Sequence, residues 1–94
     1  MLTIEQTSEN ELLFNGRFDA SQAEHVQEEL SGLTETTTLD FANLDYISSM
    51  GLGVLVGTYK RLNENGHTLV LKNLNQHVHD VFKFTRLDKI FTII

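Results

Sequence analysis

Two adjacent serines, Ser48 and Ser49, have the type and position best suited to chemistry in this sequence. They stand where a strand-like stretch changes to a helical pattern that opens with Gly51-Leu52-Gly53. The first backbone N–H groups of a helix have no partner within the helix, and the helix dipole favours negative charge there. A serine at such a junction can therefore cap the helix, and it can also carry a phosphate.

No enzyme site forms around these hydroxyls. A nucleophile elbow has the pattern Gly-x-Ser-x-Gly, and the stretch Ile47-Ser48-Ser49-Met50-Gly51 lacks the first glycine. Gly51-x-Gly53 is similar to the start of a dinucleotide fingerprint, but Val56 stands where the third glycine belongs. The sequence thus favours neither a serine hydrolase nor a dinucleotide-binding enzyme.

The remaining polar residues do not form a catalytic or metal-binding set. His77 and His79 are two residues apart, so on a helix their side chains point to different sides and make a poor metal pair. Asp19, Asp40 and Asp45 have the pattern of helix caps and turn residues. We expect a protein that is not an enzyme and has no metal and no cofactor.

The elements around the serines alternate between strand and helix patterns. Strands are predicted at residues 2–7, 11–15, 36–41, 67–71 and 90–94, and helices at 20–33, 49–65 and 76–84. The first two strands are expected to pair as a hairpin, after which residues 16–19 leave the sheet. Residues 42–45 are predicted as a loop, followed by a short extended piece at Tyr46-Ile47.

The order β-β-α-β-α-β-α-β predicts an α/β fold. Helices between strands imply crossover connections, and hence a mixed, mostly parallel sheet of about five strands with one antiparallel edge. Each helix has candidate N-caps, which are Asp19 or Ser21, Ser48 or Ser49, and Asn73 or Asn75.

The second predicted helix contains three glycines, Gly51, Gly53 and Gly57. Each glycine costs about 0.5–1 kcal/mol relative to alanine in a helix interior. Three such costs in one helix need a reason. The usual reason is close packing of the helix backbone against the sheet or against a partner.

Length and composition predict one domain spanning residues 1–94. Thirteen acidic residues against seven basic ones argue against nucleic acid and suit a basic protein partner. The absence of cysteine excludes disulfides and is typical of cytoplasmic proteins. The first residues lack a signal-peptide pattern, and the longest nearly apolar run, 50–57, is far short of the roughly 20 residues that span a bilayer. We expect no membrane insertion.

Three stretches resemble the STAS domain of bacterial anti-sigma factor antagonists. Residues 39–55, from Leu-Asp-Phe to Gly-Leu-Gly-Val-Leu, are similar to the family signature, a strand ending in Leu-Asp-Leu, a loop, then aromatic-Ile-Asp-Ser-Ser/Thr-Gly-Leu-Gly-Val-Leu. Residues 16–20 resemble its Gly-x-Leu-Asp-Ala element, and residues 87–91 resemble its closing Leu-Asp-x-Ile-Phe. The three matches occur in order, and from the first to the last they span residues 16–91.

The resemblance implies a non-enzymatic module that regulates transcription by partner switching. The unphosphorylated form would bind an anti-sigma factor that is also a serine kinase, which releases the sigma factor. The kinase would phosphorylate a serine at the start of the second helix and so break the complex, and a serine phosphatase would restore it. By position the phosphoserine falls on Ser49, with Ser48 as the alternative.

The chain departs from the family pattern at two positions. Ser48 replaces an acidic residue, and Met50 replaces a residue that is usually small. Because of these departures, the sequence also fits an alternative function. The chain would then be a constitutive STAS scaffold subunit of a membrane-transport or signalling assembly, without phosphate control. The partner-binding surface implied by the resemblance comprises Asp19, Asp45, Ser48, Met50, Gly51, Gly53 and Gly57.

Overall fold

A five-stranded sheet in the order β1-β2-β3-β4-β5 is the frame of the computed structural model, which describes residues 1–94. The strands are β1 (Leu2–Ser8), β2 (Glu11–Phe18), β3 (Thr37–Ile47), β4 (Leu69–Lys72) and β5 (Thr92–Ile93). β1 and β2 form an antiparallel hairpin, and all other neighbours are parallel. The expected mixed, mostly parallel sheet with one antiparallel edge is confirmed.

Three α-helices connect the strands: α1 (Ala23–Leu30), α2 (Ser49–Glu64) and α3 (Gln76–Phe84). A 3₁₀ helix precedes α1 at Ala20–Gln22, and another follows α3 at Leu87–Lys89. Apolar residues three or four positions apart give each α-helix one buried face. With the inward side chains of the strands, these faces form a single core cluster of 17 buried residues. No helix is both long and apolar enough to cross a bilayer.

Two expectations for the strands around the serine pair are wrong. The sequence predicts a loop over residues 42–45, but β3 runs without interruption from Thr37 to Ile47. It also predicts that residues 16–19 leave the sheet, but β2 continues to Phe18. Pairing between the two strands outweighs the local turn signals, because each added pair satisfies backbone N–H and C=O groups.

Two β-bulges allow β3 to follow β2 over this length. One extra residue follows Asp40 and another follows Leu44, so the buried side chains step by three, from Phe41 to Leu44 to Ile47. A regular strand alternates its side chains between the two faces, so without bulges these three could not all face inward. The bulges keep them in the core and deliver the chain to Ser48 at the carboxyl end of the sheet.

The helix predictions differ in accuracy. α2 and α3 begin and end within one residue of the predicted bounds. The first predicted helix, over 20–33, is divided into the 3₁₀ helix and a shorter α1, which ends at Leu30. The last two strands are also shorter than predicted, and β5 retains only two residues.

Candidate partner-binding site

Ser48 is the N-cap of α2, which resolves the choice that the sequence left open. Its backbone is extended, and its N–H donates to the carbonyl oxygen of Phe18 at 2.9 Å. Its Oγ accepts from the N–H of Gly51 at 3.1 Å, and its carbonyl oxygen accepts from the N–H of Leu52 at 2.9 Å. The Ser48 hydroxyl is therefore part of the helix start.

Ser49 is the first residue of α2, and it is exposed. Its hydroxyl takes part in no hydrogen bond within the chain, in contrast to the hydroxyl of Ser48. No acidic residue occupies the first turn of α2. A negative group added at Ser49 would meet the positive end of the helix dipole and unpaired N–H groups.

Asp19 brings a fixed negative charge to the same edge of the sheet. It follows Phe18, which pairs with Ile47, just as Ser48 follows Ile47. The Asp19 carboxylate accepts from the Ser21 hydroxyl at 2.6 Å and from the Ser21 N–H at 3.2 Å. The hydroxyl hydrogen bond is the main reason that the pKa of Asp19 lies below its ordinary value.

Asp19 also caps the 3₁₀ helix, and is thus the N-cap among the two candidates, Asp19 and Ser21, that the sequence offered. Its own N–H donates to Oε1 of Gln22 at 2.9 Å, which completes a reciprocal capping arrangement. The Asp19 backbone is therefore held in place beside the start of α2.

Asp45 lies in the last bulge of β3 and is exposed. The next residue, Tyr46, lies under the guanidinium of Arg17, whose central carbon is 4.4 Å from the ring centroid. Arg17 and Tyr46 are register partners across β2 and β3. The sequence did not indicate this pair, because the register depends on the two bulges.

The three glycines of α2 have different environments. A Cβ on Gly51 would lie 3.0 Å from Cγ1 of Ile47 and 3.2 Å from Cγ of Phe18, so this glycine allows α2 to approach the sheet. A Cβ on Gly53 or on Gly57 would meet no atom within 4 Å. Packing inside the chain therefore explains Gly51 and does not explain the other two.

A groove of about 630 Å³ separates α1 from α2. Gly53 and Gly57 lie in its lining, and Met50, 58% exposed, lines it beside Ser49. Its other lining residues are Ala23, Glu24, Gln27, Ser31, Val54, Thr58 and Arg61. The contribution of α1 was not predicted, because helical periodicity shows which face is apolar but not which helix lies beside it.

Arg61 joins the two walls of the groove. Its Nη1 donates to the carbonyl oxygen of Leu33 at 2.7 Å, and its Nη2 donates to that of Leu30 at 2.8 Å. A guanidinium at the C-terminus of a helix satisfies free carbonyl groups and interacts favourably with the dipole. Arg61 thereby ties the C-terminal end of α1 to α2.

A family model described as the STAS domain matches residues 3–94. The chain belongs to the STAS family. An anti-sigma-B factor antagonist from Bacillus subtilis (strain 168) is 33% identical to this STAS domain in an alignment of 91 residues, which covers 92% of this chain and 84% of the relative. The family resemblance carried by the three sequence stretches is confirmed.

Solved structures show the same fold. The anti-sigma factor antagonist SpoIIAA in its unphosphorylated form matches with a TM-score of 0.73 at 19% identity, over 100% of this chain and 87% of the other. The Bacillus cell fate determinant SpoIIAA in its phosphorylated form matches with a TM-score of 0.72 at 20% identity, over 100% and 91%.

Proposed function

We propose that this STAS domain is an anti-sigma factor antagonist controlled by phosphorylation of Ser49. The unphosphorylated form binds an anti-sigma factor serine kinase in the cytoplasm, and phosphorylation of Ser49 releases it. A serine phosphatase then restores the binding form. The domain acts by binding and catalyses no reaction itself.

One observation carries this proposal: Ser48 is committed to the cap of α2, while the hydroxyl of Ser49 is exposed and free. The name of the Bacillus subtilis relative supports an antagonist function. SpoIIAA, which shares the fold, has been solved with and without phosphate, which supports phosphate control in a domain of this architecture.

The proposed contact surface extends from the serine junction along the groove between α1 and α2. Asp19, Asp45 and Ser48 lie at the junction, and Met50, Gly53 and Gly57 lie along the groove. Gly53 and Gly57 are exposed and have open space above them, so a partner backbone can approach α2 closely there. Gly51 contributes indirectly, because the absence of a Cβ there allows α2 to pack closely against the sheet.

Phosphate at Ser49 would act on the complex and leave the fold intact. It adds about −1.5 to −2 charges at pH 7, and a helix N-terminus stabilises such charge. A partner that covers Met50 must also cover the adjacent Ser49, so it would have to desolvate the phosphate. Asp19 adds further negative charge at the same edge. The complex is therefore weakened by desolvation and by repulsion of acidic partner groups.

The direct test is incubation of the protein with ATP and a candidate anti-sigma factor serine kinase, followed by tandem mass spectrometry. We expect phosphate on Ser49 and none on a Ser49→Ala variant. Ser49→Ala should bind the kinase like the wild type, and Ser49→Asp should bind at least about tenfold more weakly, which corresponds to 1.4 kcal/mol. Phosphate on neither serine, or on Ser48 alone, would contradict the proposal.

A constitutive STAS scaffold subunit is the second candidate. It is favoured by Met50, which is exposed beside Ser49. The bulk of the Met50 side chain restricts the approach of a kinase to the Ser49 hydroxyl. The absence of an acidic residue at position 48 points the same way. Equal affinity of Ser49→Ala and Ser49→Asp for the natural partner would identify this second function.

A further inference from the structure

The segment that ends α3 and forms the following 3₁₀ helix presents an unusual surface. Phe84 is 90% exposed and Ile90 is 43% exposed. Lys83, Arg86 and Lys89 are also exposed, and none of the three forms an ion pair. We name these five residues the α3-end surface. It combines free cations with apolar side chains that the chain itself does not cover.

Backbone hydrogen bonds hold these residues in consecutive turns. The N–H of Arg86 donates to the carbonyl oxygen of Lys83 at 3.1 Å, and the N–H of Lys89 donates to that of Arg86 at 3.2 Å. Leu87 packs against the core from within this segment. The α3-end surface is therefore anchored to the domain and is not a loose tail.

The backbone of Arg86 is in the left-handed region, with φ 64° and ψ 14°. Glycine adopts this conformation freely and is the usual residue after a helix C-terminus, whereas a side chain with a Cβ is strained there. Folding alone would favour glycine at position 86. The conformation therefore gives no folding reason for an arginine here, and it holds the Arg86 side chain at the surface.

The charge of this segment is opposite to that of the whole chain. Residues 83–90 contain three of the seven basic residues and a single acid, Asp88, while the chain has a net charge of −6. Guanidinium and ammonium groups bind carboxylates, and an exposed aromatic side chain is a frequent anchor in protein interfaces. The chemistry complementary to this surface is a carboxylate-rich segment with an apolar residue.

We propose that the α3-end surface binds an acidic segment of a partner protein that carries an apolar anchor residue. An anionic membrane fits less well, because lipid recognition typically uses clusters of 4–8 basic residues. Nucleic acid fits less well because phosphate binding uses many clustered Lys and Arg side chains, and this surface has only three cations. The inference does not depend on the function proposed for Ser49.

The α3-end surface lies near the amino ends of the parallel strands, whereas Ser49 lies at their carboxyl ends. The N-cap of α3 is Asn75, whose Nδ2 donates to the carbonyl oxygen of Leu44 near the carboxyl end of β3. It then returns to the amino end of β5, as the connection between two parallel strands requires. A partner at the α3-end surface and a partner on the groove can therefore be bound at the same time.

The test uses ¹⁵N-labelled protein and a synthetic peptide in which glutamates flank a leucine–phenylalanine pair. We expect peptide-dependent shifts of the amide resonances of residues 83–90. Phe84→Ala and Arg86→Gly should each weaken binding about tenfold. Phe84→Ala should keep the wild-type unfolding midpoint because its side chain is exposed, and Arg86→Gly should raise the midpoint because glycine accepts this backbone conformation.

The control variant is Lys60→Glu, which reverses an exposed cation on α2 and should leave peptide binding unchanged, whereas Lys89→Glu should weaken it. A matched peptide with lysines in place of glutamates should not bind. The proposal fails if the acidic peptide leaves residues 83–90 unshifted, or if Phe84→Ala and Arg86→Gly bind it like the wild type. It also fails if phosphatidylglycerol vesicles or duplex DNA bind at this surface in place of the peptide.

Discussion

The backbone N–H of Ser48 donates to the carbonyl oxygen of Phe18 at 2.9 Å, and this bond ties the capping residue of α2 to the last residue of β2. The same contact holds Ser48 extended, with its Oγ toward the N–H of Gly51. Ser49, one residue later, lies outside this arrangement. The two adjacent hydroxyls thus differ, because that of Ser48 belongs to the fold and that of Ser49 forms no hydrogen bond within the chain.

The two serines should differ in their effect on stability. Ser48→Ala removes the acceptor for the Gly51 N–H and should lower the free energy of unfolding by about 1 kcal/mol. Ser49→Ala removes no hydrogen bond and should change it by less than about 0.5 kcal/mol. Urea denaturation of both variants checks this, with Ser48→Asp as the control that keeps a capping oxygen. Equal losses for the two alanine variants would contradict the assignment.

The three glycines of α2 should differ in the effect that their replacement by alanine has on the free energy of unfolding, measured by the same urea denaturation. Gly51→Ala places a methyl group against Ile47 and Phe18 and should destabilise the domain by roughly 1 kcal/mol. Gly53→Ala and Gly57→Ala meet open space, so each should stabilise the domain by about 0.5–1 kcal/mol through helix propensity. A loss of stability in Gly53→Ala or Gly57→Ala would show that these glycines serve internal packing.

The same variants test the groove as a contact surface. If a partner backbone approaches α2 over Gly53 and Gly57, alanine at either position should weaken kinase binding about tenfold although it stabilises the domain. Isothermal titration calorimetry measures the affinity. A variant that is more stable than the wild type but binds the kinase more weakly would show that the glycine serves partner contact and not folding. Wild-type affinity in both variants would place the partner elsewhere.

Arg61 should control the order of the C-terminal end of α1. Arg61→Ala removes two charge-assisted hydrogen bonds to the carbonyl groups of Leu30 and Leu33, and should cost about 1.5–3 kcal/mol of stability. Hydrogen exchange should become faster near the end of α1, including at Ser31 and Leu33, whose N–H groups bond to that helix. Lys60→Ala, an exposed neighbour, is the control and should leave exchange unchanged.

The low pKa of Asp19 predicts a pH dependence of stability. Because hydrogen bonds from Ser21 lower the pKa in the folded state, the Asp19 carboxylate stabilises the fold above its unfolded pKa, near pH 4. That contribution is lost as the pH falls through the lower, folded pKa. The wild type should exceed Asp19→Asn in stability at pH 7, and the difference should disappear in strong acid. A difference independent of pH would assign the effect to packing.

The sequence by itself determined the elements whose signals are local. The apolar spacing of α2 and α3, with Ser48 or Ser49 and Asn73 or Asn75 as candidate caps, sets their bounds within one residue, because helix periodicity and capping act over a few neighbouring residues. The serine junction was identified for the same reason, since a change from strand to helix pattern is visible within three residues.

Tertiary structure decided what depends on partners distant in the chain. β3 passes through residues 42–45 as a strand because β2 pairs with it and two bulges correct its register, and neither contact is encoded in the local turn signals. Gly51 is distinguished from Gly53 only by the positions of Phe18 and Ile47. Ser48 becomes the cap and leaves Ser49 free because a carbonyl group of β2 holds it, and that hydrogen bond exists only once the sheet has formed.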